Sequence, residues 1–230
     1  MRLPEDGLVL DVGGWAKPLA RADWVIDLEP YETRGLYGSA DGDERFSAET
    51  WVRRDVCDRE PWPFADGQFD VAVCSQTLED LRDPVWVCSE MQRVARAGRV
   101  EVPAVVEELT WGVQGPWVGW SHHRWLCLPE DGGLTFVHKP HLLCAPGRHL
   151  PAGTCDALPA RERVTALSWE GSLPARERVF LGAEEFDAWL EQLLSSARPP
   201  APASRRRWGR SARGRWRRRA PRWCRTRRAR

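Results

Sequence analysis

The chain lacks any apolar run of the roughly 20 residues that a membrane-spanning helix needs, which argues against an integral membrane protein. Its start, MRLPEDG, offers only a short apolar stretch beside acids, so we predict no signal peptide. The seven cysteines include no CxxC pair, and their number is odd. We therefore expect reduced thiols, a cytoplasmic location and no metal centre.

Lysine is also nearly absent, because Lys17 and Lys139 are the only two, and arginine carries the basic charge. The formal net charge of +1 hides a strong polarity, since residues 198–230 hold 15 of the 34 basic residues and no acid. The first 197 residues consequently carry a net charge of −14. We predict a domain at residues 1–196, followed by a proline linker and a disordered Arg/Trp-rich tail at residues 197–230.

Two interpretations of this tail stay open. Arginine interleaved with tryptophan suits phosphate contact and base stacking, so the tail is the one place where we expect nucleic acid to bind. Alternatively, a composition rich in Arg, Pro and Trp with little lysine is typical of GC-rich coding sequence read out of frame, and the tail then has no specific partner.

Residues 61–103 contain the most informative pattern in the chain. Phe69–Cys74 is a short apolar segment introduced by an Asp-Gly turn signal, and it predicts a strand. Asp83 is placed to cap a helix whose first position is Pro84. Apolar side chains then recur at helical spacing up to a predicted stop at Ala97.

A second strand follows this helix and begins with the alternating residues Val100 and Val102. A strand, a crossover helix and another strand make a parallel unit that is nearly always right-handed. The ligand crevice of such a sheet lies at the carboxyl ends of its strands. The pattern therefore places Cys74 and Ser75 at the edge of a binding crevice.

The amino-terminal segment also contains predicted strands that end in candidate ligand-binding residues. Leu8–Val12 is an apolar strand that runs into Gly13 and Gly14, which let the backbone turn tightly and approach a ligand. Trp24–Leu28 is a second strand, and its acid Asp27 suits the two hydroxyls of a ribose. Only twelve residues separate Gly14 from Asp27, so the crossover helix between these strands has at most two turns. A nicotinamide dinucleotide also fits this pattern, but its GxGxxG fingerprint is absent.

The run FADGQFDVAVCSQTLEDLRDP resembles the middle of the class I S-adenosylmethionine-dependent methyltransferases of the small-molecule subgroup. Members commonly read PFxDxxFDxVxxxxxLEHLxDP there, and the resemblance covers roughly residues 7–103. It implies an α/β, Rossmann-like, doubly wound fold whose sheet is mostly parallel with late antiparallel strands. It also implies S-adenosylmethionine as cofactor and methyl transfer to an O, N or C nucleophile of a small molecule.

The resemblance assigns cofactor contacts to residues at the ends of the first strands. The glycine-rich turn would hold the methionine part, the second-strand acid the ribose, and the next acid the adenine. The residues so assigned are Asp11, Gly13, Gly14, Asp27, Asp55, Val56, Cys74 and Ser75.

Three residues depart from the family pattern. Trp15 and Lys17 stand where further glycines of the usual DxGxGxG turn are expected, and Asp80 replaces the histidine of LEH. Trp15 either covers the cofactor or blocks its site.

The segment after residue 103 supplies candidate catalytic groups. His122 and His123 lie in a Gly- and Trp-rich loop that follows the last parallel strand, and a neutral imidazole there can take a proton from a substrate. The alternative is that the tryptophans pack over the sheet and the histidines are solvated. Glu107 and Glu108 either bind a basic substrate group or, as we favour, are surface carboxylates.

Two later elements complete the predicted domain. The segments 126–128 and 134–138 predict a hairpin, which either closes the main sheet or forms a small insertion over it. Residues 184–194 predict an amphipathic helix. The leading functional hypothesis is a methyltransferase, and the alternatives are a non-catalytic methyltransferase-like binding protein or a nucleic-acid-binding protein that acts through its tail.

Overall fold

The computed structural model of this protein describes residues 3–38, 42–156 and 158–197. The Arg/Trp-rich tail from residue 198 onward lies outside these residues, so its disorder and its partner stay predictions. No described helix is long and apolar enough to cross a membrane.

Nine strands and three α-helices make up the regular structure of the described residues. The strands are β1 (Val9–Val12), β2 (Trp24–Asp27), β3 (Trp51–Arg53), β4 (Phe69–Ser75), β5 (Ala95–Pro103), β6 (Trp125–Glu130), β7 (Gly133–His138), β8 (Val164–Glu170) and β9 (Ala175–Glu177). The helices are α1 (Pro84–Val94), α2 (Val105–Glu108) and α3 (Ala183–Ala197).

The main sheet has six strands in the order β3-β2-β1-β4-β5-β8. Strands β1 to β5 pair in parallel, and β8 joins the outer edge of β5 in the antiparallel direction. This arrangement confirms the predicted α/β, Rossmann-like fold with a mostly parallel sheet and a late antiparallel strand. The carboxyl ends of the five parallel strands consequently lie along a single edge.

The β4–α1–β5 unit follows from local sequence signals. The Asp83 side chain accepts a hydrogen bond of 3.0 Å from the Trp86 backbone N–H, and Pro84 occupies the first turn of α1, as predicted. The helix ends at Val94, three residues earlier than the predicted stop at Ala97, and β5 begins at once. The early end reflects sheet pairing, because Ala95 is already in register with Phe69 of β4.

The two faces of the main sheet are covered differently. On one face, side chains of β1, β2 and β4 pack against α1 in a core that includes Leu10, Ile26 and Met91. On the other face the cover consists of irregular segments, which place Phe46 and the partly buried Leu19 against the sheet. No described helix lies in the chain between β1 and β4, apart from two single-turn 3-10 segments.

The predicted short crossover helix between β1 and β2 is absent, and hydrogen bonds to two carboxylates hold this segment instead. Asp11 Oδ2 accepts from the Leu19 backbone N–H at 2.8 Å, and Asp27 Oδ2 accepts from the Trp15 N–H at 2.9 Å. Gly14 is required here, because a Cβ on it would lie 2.2 Å from Asp11 Oδ2. Only eleven residues, 13–23, join β1 to β2, which is fewer than a helical crossover between parallel strands usually needs, so the segment packs its side chains directly on the sheet.

The carboxy-terminal half adds a second, three-stranded sheet in the order β6-β7-β9. The predicted hairpin is confirmed as the antiparallel pair β6–β7, and it belongs to this second sheet and does not close the main one. Its turn uses Asp131 and Gly132, both with positive φ, as a two-residue hairpin turn requires. The predicted amphipathic helix is confirmed as α3, which buries Phe186, Trp189 and Leu190.

The burial of Asp11 generates a prediction about stability. Burial raises the pKa of this carboxyl from 3.8 to about 7. The pKa of Asp11 is higher in the folded state than in the unfolded state, so the protonated carboxyl favours folding. Its contribution to the free energy of unfolding is fully present below pH 3.8 and is lost as the pH rises through about 7. Asp11→Asn removes the charge and keeps an oxygen for Leu19. We expect the free energy of unfolding of Asp11→Asn, relative to that of the wild type, to increase by up to about 1.4 kcal/mol for each pH unit in this window.

Urea denaturation of wild type and Asp11→Asn measures this difference in the free energy of unfolding. The measurements run from about pH 4.5 to about pH 8, which covers most of the range over which Asp11 titrates. Asp43→Asn is the control, because Asp43 is exposed. A difference between Asp11→Asn and wild type that does not change with pH would contradict the prediction.

Candidate active site

A cavity of about 1050 Å³ runs along the carboxyl edge of the parallel strands. Residues from the ends of β1, β2, β4 and β5 line it, together with the loop that precedes β6. Nine of the ten site residues predicted from the sequence lie on its wall: Asp11, Gly13, Gly14, Asp27, Asp55, Val56, Ser75, His122 and His123.

Cys74 is the exception. Its side chain does not line the cavity, so the prediction that this side chain contacts the cofactor was wrong. Side chains alternate across a strand, and Val73 and Ser75 are the β4 residues that line the cavity. Cys74 is fully buried and belongs to the core cluster that packs against α1. Burial raises the pKa of its thiol well above 9.0, which leaves it an inert apolar group.

Asp27 lies at the end of β2 and is only 8% exposed. Its Oδ2 accepts from the Trp15 N–H at 2.9 Å and its Oδ1 from the Glu29 N–H at 2.8 Å. Burial raises its pKa, against the opposing effect of these backbone donors. A carboxylate offers about four acceptor positions, so two remain for further donors.

The glycine turn after β1 is tightly enclosed by protein atoms. Gly13 has a φ of +75°, and a Cβ on it would lie 2.3 Å from Thr77 Cγ2. The Thr77 hydroxyl lies 3.2 Å from the Gly13 carbonyl oxygen and links the turn to the end of β4. Trp15 packs against the sheet face, donates its indole N–H to Thr33 Oγ1 at 3.0 Å, and also borders the cavity.

Asp55 and Val56 follow β3 at the far end of the same edge. Asp55 Oδ2 forms an ion pair of 2.5 Å with Arg82, and Asp55 Oδ1 accepts from the Cys57 N–H at 2.9 Å. Val56 is 5% exposed and joins the main core. The residues predicted to bind adenine are therefore positioned by protein contacts.

The opposite part of the cavity lies at the ends of β4 and β5, where the histidine loop docks. The Arg124 N–H donates to the Glu79 carbonyl at 2.7 Å, which fixes the loop on the segment after β4. The side chain of His123 is 7% exposed, and its Nδ1 lies 2.7 Å from Glu108 Oε1. His122 is exposed, so the solvated alternative holds for His122 and fails for His123.

Glu107 and Glu108 are not the surface carboxylates that we favoured. Both are buried, at 5% and 1% exposure, because each has a charged partner. Glu107 forms paired hydrogen bonds of 2.7 and 2.9 Å with Arg163. Glu108 Oε2 binds Lys139 Nζ at 2.6 Å. Two charged side chains from later in the chain thus reach back to α2.

Glu79 is a further buried carboxyl at the cavity, and the sequence did not single it out. It is 1% exposed, and neither side-chain oxygen has a hydrogen-bond partner among the described residues. Burial, with the nearby Asp80 and Glu108, raises its pKa to about 8. In the sequence, Glu79 stands out only as the middle residue of Leu78-Glu79-Asp80, which matches the LEH motif of the family pattern.

Acidic side chains outnumber basic ones on the cavity wall. Among the described residues that line it, seven are carboxylates and four are permanent cations. The acids are Asp11, Asp27, Asp55, Glu79, Asp80, Glu101 and Glu107, and the cations are Lys17, Arg21, Arg99 and Arg163. With its pKa raised to about 8, Glu79 is largely neutral at pH 7, and Glu101 and Glu107 pair with Arg99 and Arg163, so the wall carries only a small net charge.

The chemistry of this wall fits S-adenosylmethionine. Asp27 keeps acceptor positions for the ribose hydroxyls, and the cavity is large enough for a ligand of that size.

The family model described as a methyltransferase domain matches residues 25–100, from β2 through the first half of β5. No curated protein sequence gives a significant match.

Several solved structures are similar to part of the chain. An S-adenosylmethionine-dependent methyltransferase from Mesorhizobium loti is 18% identical, with 61% of each chain covered and a TM-score of 0.34. One described as putative, from Listeria monocytogenes, is 18% identical over 56% of this chain and 62% of that one, with a TM-score of 0.34. A Haloferax volcanii complex of the Trm112 methyltransferase activator and a putative methyltransferase is matched at 20% identity and a TM-score of 0.34, over 44% of this chain and 47% of that chain.

The chain thus spans between about half and three fifths of the length of these structures. The match to the methyltransferase-domain model over residues 25–100 confirms the resemblance predicted from the sequence, and S-adenosylmethionine is the cofactor that such a domain indicates.

Proposed function

We propose that this chain transfers the methyl group of S-adenosylmethionine to a small molecule that binds beside the histidine loop. The observation that carries the proposal is the single cavity of about 1050 Å³, which borders both Asp27 and His123. In strand order, Asp27 belongs to the β2 side of this cavity and the histidine loop to the β4 side. One cavity therefore offers room for a cofactor and an acceptor next to each other.

The cofactor half is assigned to residues after β1, β2 and β3. Asp27 would accept from the ribose hydroxyls, Asp55 and Val56 would border the adenine, and the turn at Gly13 would face the methionine part. When bound, S-adenosylmethionine supplies a methyl group activated by a sulfonium. The chain's task is then to hold the two reactants in line and to exclude water.

The acceptor half contains the group best placed to handle a proton. Glu108 binds His123 at Nδ1, which makes that nitrogen the hydrogen-bonding partner and leaves Nε2 as the free basic nitrogen. Lys139 in turn holds Glu108 at 2.6 Å, so the imidazole has a fixed orientation. We propose that His123 Nε2 accepts the proton of an acceptor hydroxyl or amine as its oxygen or nitrogen takes the methyl group.

A second candidate function is that of a cofactor-binding relative without methyl transfer. The observation that favours it is the double occupation of Asp27 by the Trp15 and Glu29 N–H groups, since a ribose must share these oxygens. The two candidates differ in turnover. They are separated by following S-adenosylhomocysteine formation with a panel of small hydroxyl- and amine-bearing acceptors.

The role of Asp27 generates a prediction about cofactor affinity. Asp27→Asn removes the charge and one acceptor oxygen from the β2 edge. We expect S-adenosylmethionine to bind about tenfold more weakly or worse, because donors to a buried charged acceptor contribute roughly 1.5–3 kcal/mol. Isothermal titration of the full chain with S-adenosylmethionine and, separately, with NADH measures the effect.

Asp70→Asn is the matched control, because Asp70 pairs with Arg96 outside the cavity wall. Equal affinities in wild type and Asp27→Asn, with both proteins folded by thermal melting, would remove Asp27 from the site. A preference of the wild type for NADH would overturn the proposed function itself.

The position of Trp15 generates a second prediction about affinity. Its indole packs on the sheet and borders the cavity, so we expect it to form a wall of the cofactor site. Trp15→Ala should then weaken S-adenosylmethionine binding several-fold, because the lost ring area no longer contacts the ligand. Trp15→Phe keeps most of that area and serves as the control. Tighter binding by Trp15→Ala would instead show that the indole fills the site, and would favour the second candidate.

A further inference from the structure

The histidine loop and the segment after β4 bring three potential metal ligands together. Asp80, His122 and His123 each offer one ligand atom, and these atoms lie within 4.8 Å of one another. We propose that these three side chains form a binding site for a divalent transition-metal ion at the β4 side of the cavity. The sequence analysis expected no metal centre, because the two histidines follow Asp80 by more than forty residues and no close ligand spacing signals the cluster.

The hydrogen bonds of the two imidazoles leave the correct nitrogen free on each. His123 Nδ1 is bound to the Glu108 carboxylate at 2.7 Å, and its Nε2 lies 3.9 Å from Asp80 Oδ1. His122 Nδ1 lies 3.3 Å from Gln114 Oε1, which can only accept a hydrogen bond. These contacts favour the tautomer with the proton on Nδ1 of each ring, which leaves Nε2 to bind a metal ion. A carboxylate on the far nitrogen of a histidine is the arrangement that orients metal ligands in proteins.

An unpartnered oxygen within this cluster is a further observation. Asp80 Oδ1 is buried and has no hydrogen-bond partner among the described residues. Lys139 is already bound to Glu108 and Trp120, and Arg124 reaches Asp80 only through longer-range attraction. A buried carboxylate oxygen is costly without a partner, so a cation beside Asp80 Oδ1 is favourable.

The spacing of the three atoms suits a small transition-metal ion. Zinc binds nitrogen and oxygen at about 2.0–2.2 Å, so two ligands of a tetrahedral site lie roughly 3.3 Å apart. The 3.9 Å between His123 Nε2 and Asp80 Oδ1 needs only a small closure. His122 is exposed and can adjust. Two imidazoles and one carboxylate suit Zn²⁺, Co²⁺ or Fe²⁺ better than Mg²⁺, which prefers oxygen ligands.

Three protein ligands leave at least one coordination position open toward the cavity, as in catalytic metal sites. The use of that position for an acceptor hydroxyl rests on the proposed function: a bound cation would lower the pKa of that hydroxyl, and His123 Nε2 would then serve as a metal ligand in place of its role as proton acceptor. Metal binding itself does not depend on methyl transfer. It is therefore tested without S-adenosylmethionine.

Cobalt titration of the full chain, freed of metal by dialysis against a chelator, tests the site directly. We expect one Co²⁺ per chain, with visible d–d absorption and no thiolate charge-transfer band, since no cysteine belongs to the cluster. Zn²⁺ should displace the cobalt, and Mg²⁺ at the same concentration should not. A thiolate band, or displacement by Mg²⁺ as readily as by Zn²⁺, would overturn the proposed ligand set.

Variants locate the binding to the three side chains. Asp80→Ala and His122→Ala should each weaken Co²⁺ binding by at least the 10–100-fold that loss of a supporting partner costs at metal sites. His138→Ala is the control, because His138 is an exposed histidine outside the cluster. His122 is also exposed, so its variant should fold, and thermal melting checks this. Equal Co²⁺ affinity in wild type and His122→Ala would refute the site.

The same preparations separate this inference from the proposed function. Loss of S-adenosylmethionine binding in Asp27→Asn with unchanged Co²⁺ binding would leave the metal site standing. Wild-type chain that binds S-adenosylmethionine and no Co²⁺ would refute the metal site and leave the proposed function intact.

Discussion

Two buried carboxylates hold the first crossover of this fold in place of a helix. In a parallel sheet, the segment between neighbouring strands must satisfy its backbone polar groups while it covers one face. Here Asp11 accepts from Leu19 and Asp27 accepts from Trp15, each at 2.8 to 2.9 Å. Because these bonds fix the segment, Trp15 and Leu19 can pack directly on the sheet, and the cavity keeps a defined wall.

The same two carboxylates, Asp11 and Asp27, also line the cavity. Substitutions at either residue should therefore affect both the stability of the fold and the binding of a cofactor. Burial raises the pKa of both Asp11 and Asp27, and the negative charge of Asp27 repels that of Asp11. A cationic ligand would relieve part of this repulsion, since opposite charge favours the ionised carboxylate. Asp27 lies within the stretch that matches the methyltransferase-domain model, and Asp11 precedes it.

The comparison of sequence and structure separates local from long-range information. The sequence predicted the β4–α1–β5 unit because Asp83, Pro84 and the turn before Phe69 act within a few residues. It predicted the hairpin for the same reason. It could not predict that Lys139 reaches Glu108, that Arg163 reaches Glu107, or that Asp80 meets His123, because these contacts join segments far apart in the chain. The predicted crossover helix was wrong because backbone bonds to two carboxylates replaced it, and no helical periodicity signals such a substitution.

The central claim is that the segment between β1 and β2 is ordered by Asp11 and Asp27 and forms part of a cofactor site. Amide hydrogen exchange over residues 13–23, with and without S-adenosylmethionine, tests it most directly. Gly13, Trp15, Leu19, Ala22 and Asp23 all donate their backbone N–H groups to protein acceptors. We predict slow exchange at these positions in the ligand-free chain and further slowing when S-adenosylmethionine binds. Fast exchange across the segment that the cofactor leaves unchanged would contradict the account.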